Sequence, residues 1–195
     1  AGIVTEDGTE SFNVFERNFS LRTAGSRDAA PGNGYSATLP NPGGDGSAFW
    51  FRGPNNYIRN NVAASAAESG FGLPVTALGV VRAPKYKGAE SSDETESVAL
   101  DTNRATVLEF SNNEAYGAIQ NGVDWAWSGS ITRQKVWHAS QHAVTANPTA
   151  KLVIDELVVR NDPALLAQAD ENPVGVWVSN YVGKEVTITK ANVEG

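Results

Sequence analysis

Short runs of apolar and β-branched residues recur along the chain, each bounded by Asn, Gly or Pro: residues 12–21, 48–52, 56–63, 106–111, 135–138, 151–160, 174–179 and 185–189. Runs of that length between turn-forming residues predict strands. LPVTALGVV (73–81) reads the same way, and only 63–68 and 163–170 could turn helically, the second capped by Asp162 before Pro163. An all-β chain with peripheral helix is expected.

The runs are not independent of one another. An apolar strand residue followed by polar residues ending in Asn or Asp returns in NVFERNF (13–19), NYIRNNV (56–62), LEFSNNEA (108–115) and LVVRND (157–162). A second, aromatic or β-branched type returns in AFWF (48–51), GFGL (70–73), YGAI (116–119), HAVT (142–145) and GVWV (175–178). Self-similarity of this kind is the mark of a solenoid, in which each unit buries its apolar residues only against the units above and below. Asn at the bends can hydrogen-bond its own backbone and the equivalent Asn of the next coil, which explains the Asn without catalysis. The fold class expected is a right-handed parallel β-helix, residues 1–195 forming a single domain within a longer solenoid. The irregular spacing of the repeats calls for inserted loops, for which 24–46 and 83–103 are the candidates.

Composition sharpens this picture. Of 195 residues only 19% are charged, Gly numbers 19, and the formal net charge is −7. Nucleic acid is an unfavourable partner for such a chain, because binding a phosphate backbone needs a basic face. There is no run of 18 apolar residues, so no segment is expected to insert in a membrane. Cys is absent, which removes disulfides and thiolate chemistry and resembles bacterial exoproteins more than cysteine-stapled animal ectodomains. Met is absent too, so the chain is expected to have been cut from a precursor or a larger protein.

Three stretches carry a family resemblance. EDGTESFNVFERNFSLRT (6–23) has a Glu-Asp-Gly, a Glu, an Asn-Val and a later Asn before Leu; SAFWFRGPNNYIRNNVAASAAESGFGL (47–73) has Phe-Trp, Pro-Asn-Asn, Asn-Asn and a small-residue string ending in Gly-Phe; LEFSNNEAYGAIQNGVDW (108–125) follows more weakly, with the coil 136–162. These resemble the β-helical region shared by the cell-migration-inducing hyaluronan-binding protein, the transmembrane hyaluronidase related to it, and fibrocystin-like proteins. Ser65-Ala66 replaces the usual Gly-Ser, and the family's cysteines are missing. The resemblance implies a secreted or cell-surface protein associated with glycans such as hyaluronan, and carries no catalytic residue onto this segment.

Candidate chemistry is sparse. In GVDWAWSG (122–129), Asp124, Trp125 and Trp127 alternate, so that in an extended segment both rings project to one side. If that side faces solvent, the three form a glycan-binding platform, since sugar C–H faces stack on flat rings while hydroxyls seek carboxylates; otherwise both rings belong to the core. Trp50, Trp137 and Trp177 lie in apolar strands and are expected to be buried or half-buried. His138 and His142 lack a third ligand and any HExxH pattern, so no metal is assigned. SSDETES (91–97) could offer oxygens to Ca²⁺ but lacks EF-hand spacing and reads as a solvated loop; no cofactor is expected otherwise. Acids for glycan cleavage are available at Asp93, Glu94, Glu96, Asp101, Asp124, Asp155 and Glu156, and bases at Lys85, Lys87, Arg104 and Arg133, with distances that spacing does not fix.

Two functions follow as expectations. The first is an extracellular glycan-associated module that binds or helps process a polysaccharide across a lateral face. The second is a structural or adhesive surface protein whose partners are further copies of itself or other surface proteins. A self-contained polysaccharide hydrolase or lyase would need a carboxylate pair, or a base beside Ca²⁺, in one lateral cleft.

Overall fold

A computed structural model describes residues 1–6, 8–25, 43–74, 80–90, 92–101, 105–162, 174–179 and 183–194. The chain winds through six coils of three short strands. The first coil holds β1 (Ile3–Thr5), β2 (Val14–Glu16) and β3 (Phe19–Leu21), and the second β4 (Phe49–Phe51), β5 (Tyr57–Arg59) and β6 (Val62–Ala64). The third holds β7 (Phe71–Leu73), an inserted pair β8 (Val80–Pro84) and β9 (Ser97–Asp101), then β10 (Glu109–Ser111) and β11 (Glu114–Tyr116). The last three are β12 (Asn121–Trp125), β13 (Gly129–Thr132) and β14 (Lys135–Trp137); β15 (His142–Ala146), β16 (Lys151–Asp155) and β17 (Val158–Arg160); and β18 (Val174–Val178), β19 (Glu185–Thr189) and β20 (Asn192–Glu194).

The first strand of every coil joins sheet A (β1-β4-β7-β12-β15-β18), the second sheet B and the third sheet C, and all pairs in these sheets are parallel. This is a parallel β-helix. The strands are short because a corner follows every few residues, and the corners are where sequence and fold meet most directly. Between sheets B and C, Arg17, Asn60, Asn112, Arg133, Glu156 and Lys190 take φ between 50° and 58°; after sheet C, Arg22, Ser65, Gly117 and His138 take φ between 55° and 59°. Left-handed backbone is costly for residues other than glycine and least so for Asn, so stacked neighbours must hold it in place.

They do so through an Asn ladder. The Oδ1 of Asn61 accepts from the Asn18 amide at 3.0 Å and from its side chain at 2.9 Å, and Asn113 Oδ1 accepts likewise from Asn61 at 3.0 and 3.1 Å. The Asn61 and Asn113 side chains then donate to Phe15 O (2.8 Å) and Ile58 O (3.0 Å). Below them the position passes to Gln134 and then to Leu157, both buried, as the backbone bond from Val158 N to Gln134 O shows. The recurrence of LVVRND is therefore offset: its Asn161 sits at the corner after sheet C, not at the ladder.

The aromatic strands stack as expected in four cases, since AFWF, GFGL, HAVT and GVWV all supply sheet A. YGAI does not; Tyr116 ends β11, Gly117 turns the corner, and the sheet A strand of that coil is β12. Inward-facing rings fill the bore: Phe49 stacks on Phe71 at 4.9 Å, Phe71 meets Phe110 edge-on at 5.4 Å, and Phe110 meets Trp125 edge-on at 5.4 Å. Where sheets C and A converge there is no room for a side chain; a Cβ on Gly122 would lie 2.5 Å from Val136 Cγ1 and 2.6 Å from Ala143 O.

Two further expectations are revised. Residues 63–68 are strand and turn, and no described residue is helical. The proposed loop 83–103 is in large part an antiparallel β8–β9 hairpin, tied by Arg82–Glu94 (3.0 Å) and Tyr86–Glu96 (2.9 Å). Most of the loop 24–46, the turn 163–170 and Arg104 lie outside the described residues. Among the described residues no helix is long and apolar enough to cross a membrane.

Candidate functional site

Alternation along the sheet A strands sends every second residue outward, away from the buried Phe49, Phe51, Phe71, Leu73, Val123 and Trp125. Parallel register lines these residues up as Val4, Trp50, Gly72, Asp124, Thr145 and Trp177. Beside them runs a second file that includes Asn121 and His142, with Thr145 Oγ1 donating to Asn121 Oδ1 at 2.9 Å. The outer face of sheet A thus carries amides, hydroxyls, a carboxylate and two indoles.

Its centre is Gly72, where a Cβ would lie 3.3 Å from both Ser47 Oγ and Trp50 Cδ1. Ser47 and Ser69 are fully buried and Trp50 is 3% exposed. The Ser47 and Ser69 hydroxyls, Trp50 Nε1 and Asp45 Oδ2 have no hydrogen-bond partner among the described residues. All four atoms are sealed from solvent, so they form a buried polar layer beneath the outer surface of sheet A and not a face that a ligand can touch.

Three carboxylates share the same face. Asp45 accepts from Ser47 N at 2.9 Å, and Glu68 accepts from Gln120 Nε2. Burial, followed by the charges of Asp45 and then Asp124, lifts Glu68 from its ordinary 4.5 to about 7, against the lowering effect of Gln120. A carboxyl whose pKa is raised to about 7 can donate or accept a proton near neutrality, the capacity that glycosidic chemistry draws on.

That shift has a consequence for stability. Between pH 4.5 and about 7 the folded chain holds a proton on Glu68 that the unfolded chain has released, so stability falls as pH rises through this window. We expect the urea midpoint of Glu68→Gln to gain on that of the unsubstituted chain between pH 5 and pH 8. Parallel pH dependence of the two chains would show that Glu68 titrates normally.

Of the residues singled out by sequence, Asp124 lies on this face, but Trp125 and Trp127 do not. Both rings are fully buried, Trp125 because it is the inward neighbour of Asp124, Trp127 because the chain enters the bore at the corner before β13. Neither can stack on a sugar from solvent. Trp177, expected to be buried or half-buried, is 50% exposed and stacks on His142 at 5.4 Å with 10° between the rings. His138 turns the corner after β14 and accepts from Asp162 N at 3.1 Å, so the two histidines serve different places. Among the described residues no group of three or more His, Asp or Glu is arranged to hold a metal ion. Of the carboxylates in 91–97, Asp93 is bonded to Thr95 and Glu94 to Arg82.

Asp45 and Glu68 escape a sequence reading because their approach to Asp124 depends on stacking across coils. Each does precede an aromatic strand of the second type, and that shared place was the available signal.

The family model for the CEMIP beta-helix matches residues 1–123, from β1 into β12. No curated protein and no solved structure matches the chain.

Proposed function

Because the chain belongs to the CEMIP beta-helix family, we propose that it is an extracellular glycan-associated module that binds a polysaccharide along the outer face of sheet A. The observation that carries this reading is the exposed Trp177 ring, stacked on His142 at the outer surface of sheet A in the same file as Thr145 and Asp124. A polysaccharide presents groups that suit such a face: hydroxyls for the partly exposed Thr145 and Asp124, and flat C–H surfaces for the Trp177 indole. Successive coils repeat their spacing along the face, which suits a polymer better than a compact ligand.

The reading is tested by titrating the chain with oligosaccharides and following binding by calorimetry. Trp177→Ala should weaken binding about tenfold, or ~1.4 kcal/mol, with the melting temperature almost unchanged because the ring is half exposed. Equal affinity in the variant would remove Trp177 from the site.

A structural or adhesive role is the second reading. It is favoured by the outer flank of the first coil, where Val14, Phe19 and Leu21 are 50%, 65% and 56% exposed. Failure of every glycan to bind would leave that role in place.

A further inference from the structure

We propose a second binding site, away from sheet A: the groove along the corner between sheets B and C receives an uncharged oligosaccharide lying parallel to the solenoid axis. Its residues lie at that corner and on sheet C, so it stands or falls separately from the sheet A reading.

The groove has a volume of about 540 Å³ and is bounded by two rows of side chains that repeat through four successive coils. One row is the left-handed corner residues Asn60, Asn112, Arg133 and Glu156; the other is the first residue of each following sheet C strand, Val62, Glu114, Lys135 and Val158. Unlike the polar atoms beneath sheet A, these side chains are open to solvent: Asn112, Arg133 and Lys135 are exposed and the others half-buried. The corner is a costly place for a long side chain. Glycine or Asn takes a left-handed conformation with least strain, yet Arg133 and Glu156 hold φ of 51° and 58° there. Strain kept beside a groove points to a use for the side chains it presents.

The lining sets what the groove can hold. Arg133 Nε donates to Asn112 Oδ1 at 2.6 Å, which aims the guanidinium and leaves its terminal nitrogens and Asn112 Nδ2 without a hydrogen-bond partner among the described residues. Asn60 Nδ2 donates to Glu16 Oε1 at 3.3 Å, leaving its own Oδ1 as an acceptor. Glu114 is held by Lys135 at 2.7 Å and by the Tyr116 hydroxyl. Donors and acceptors therefore line the groove with aliphatic stems and two valines between them, a mixture that sugar hydroxyls and C–H faces match. The charges favour a neutral ligand. In the lining, Arg133 and Lys135 offset Glu114 and Glu156; behind it, Arg17 and Arg59 pair with Glu16 and Glu109, and Lys190 bridges Asp155 and Glu156. With the two signs in balance, a carboxylated or sulfated chain finds no field to draw it in and must break an existing ion pair to bind.

The test is a titration of the isotope-labelled chain with chitohexaose, cellohexaose and a hyaluronan hexasaccharide, followed through its backbone amide chemical shifts. At least one neutral hexamer should shift the amides of Asn112, Arg133 and Lys135 to saturation, with an affinity that changes little as salt is added. Arg133→Gly, which fits the left-handed corner without strain and so keeps the fold, should weaken that binding about tenfold. Trp177→Ala should leave it unchanged. Groove shifts that saturate equally tightly in Arg133→Gly, or that hyaluronan produces at lower concentration than either neutral hexamer, overturn the proposal. Shifts confined to Thr145, Trp177 and their neighbours overturn it and keep the sheet A face as the glycan site; shifts confined to the groove uphold it and remove the sheet A reading. No shift from any of the three overturns both.

Discussion

Trp125→Ala should destabilise the chain by about 3–5 kcal/mol while leaving glycan binding intact wherever the variant is still folded. The ring is fully buried, meets Phe110 edge-on at 5.4 Å and donates from Nε1 to Trp127 O. Gly129 packs against it so closely that a Cβ there would lie 3.4 Å from Trp125 Cζ2. Removing the ring opens a cavity in the bore of the fourth coil, whose walls are backbone ladders that cannot collapse inward. Urea denaturation at 25 °C measures the loss, and calorimetry with the tightest oligosaccharide measures the rest. A Trp125→Ala chain of unchanged stability that no longer bound sugar would make the ring a platform after all.

Asn61→Ala should cost about 2–4 kcal/mol, far more than Asn18→Ala one coil above. Asn61 is fully buried and stands mid-ladder: it accepts twice from Asn18, donates twice to Asn113, and donates to Phe15 O. Its loss strips polar groups on both neighbouring coils, and Asn113 Oδ1 lies too deep for water to replace the partner. Asn18 is partly exposed and ends the described ladder, so its neighbours are more readily hydrated. Equal destabilisation by the two substitutions, read from urea midpoints, would mean that the bonds act locally and not as a stack.

The comparison of these residues shows what a single chain discloses. The Asn bends and the two strand types were legible because a coil repeats its chemistry in sequence: Asn18, Asn61 and Asn113 are polar residues at buried corners, a rare enough pattern to betray stacking. Phase was harder. YGAI imitates a sheet A strand in composition, yet Tyr116 belongs to sheet C, where it stacks on Trp137 at 5.9 Å, because alternation gives no origin from which to count. The side taken by Trp125 stayed open in the sequence for the same reason: a strand with buried and exposed faces has two phases, and Asp124 on the outer face sends its neighbour inward. The site itself was legible only through Asp124, since Asp45 and Glu68 reach it across coils of unequal length.

The central claim is that the outer face of sheet A is the glycan site, and a crystal structure of the chain with the tightest-binding oligosaccharide tests it most directly. The account predicts sugar density stacked on Trp177 and running along the outer face of sheet A past His142 and Thr145 toward Asp124. Density on another face, such as the Tyr116–Trp137 stack of sheet C, with the sheet A face empty, would contradict it.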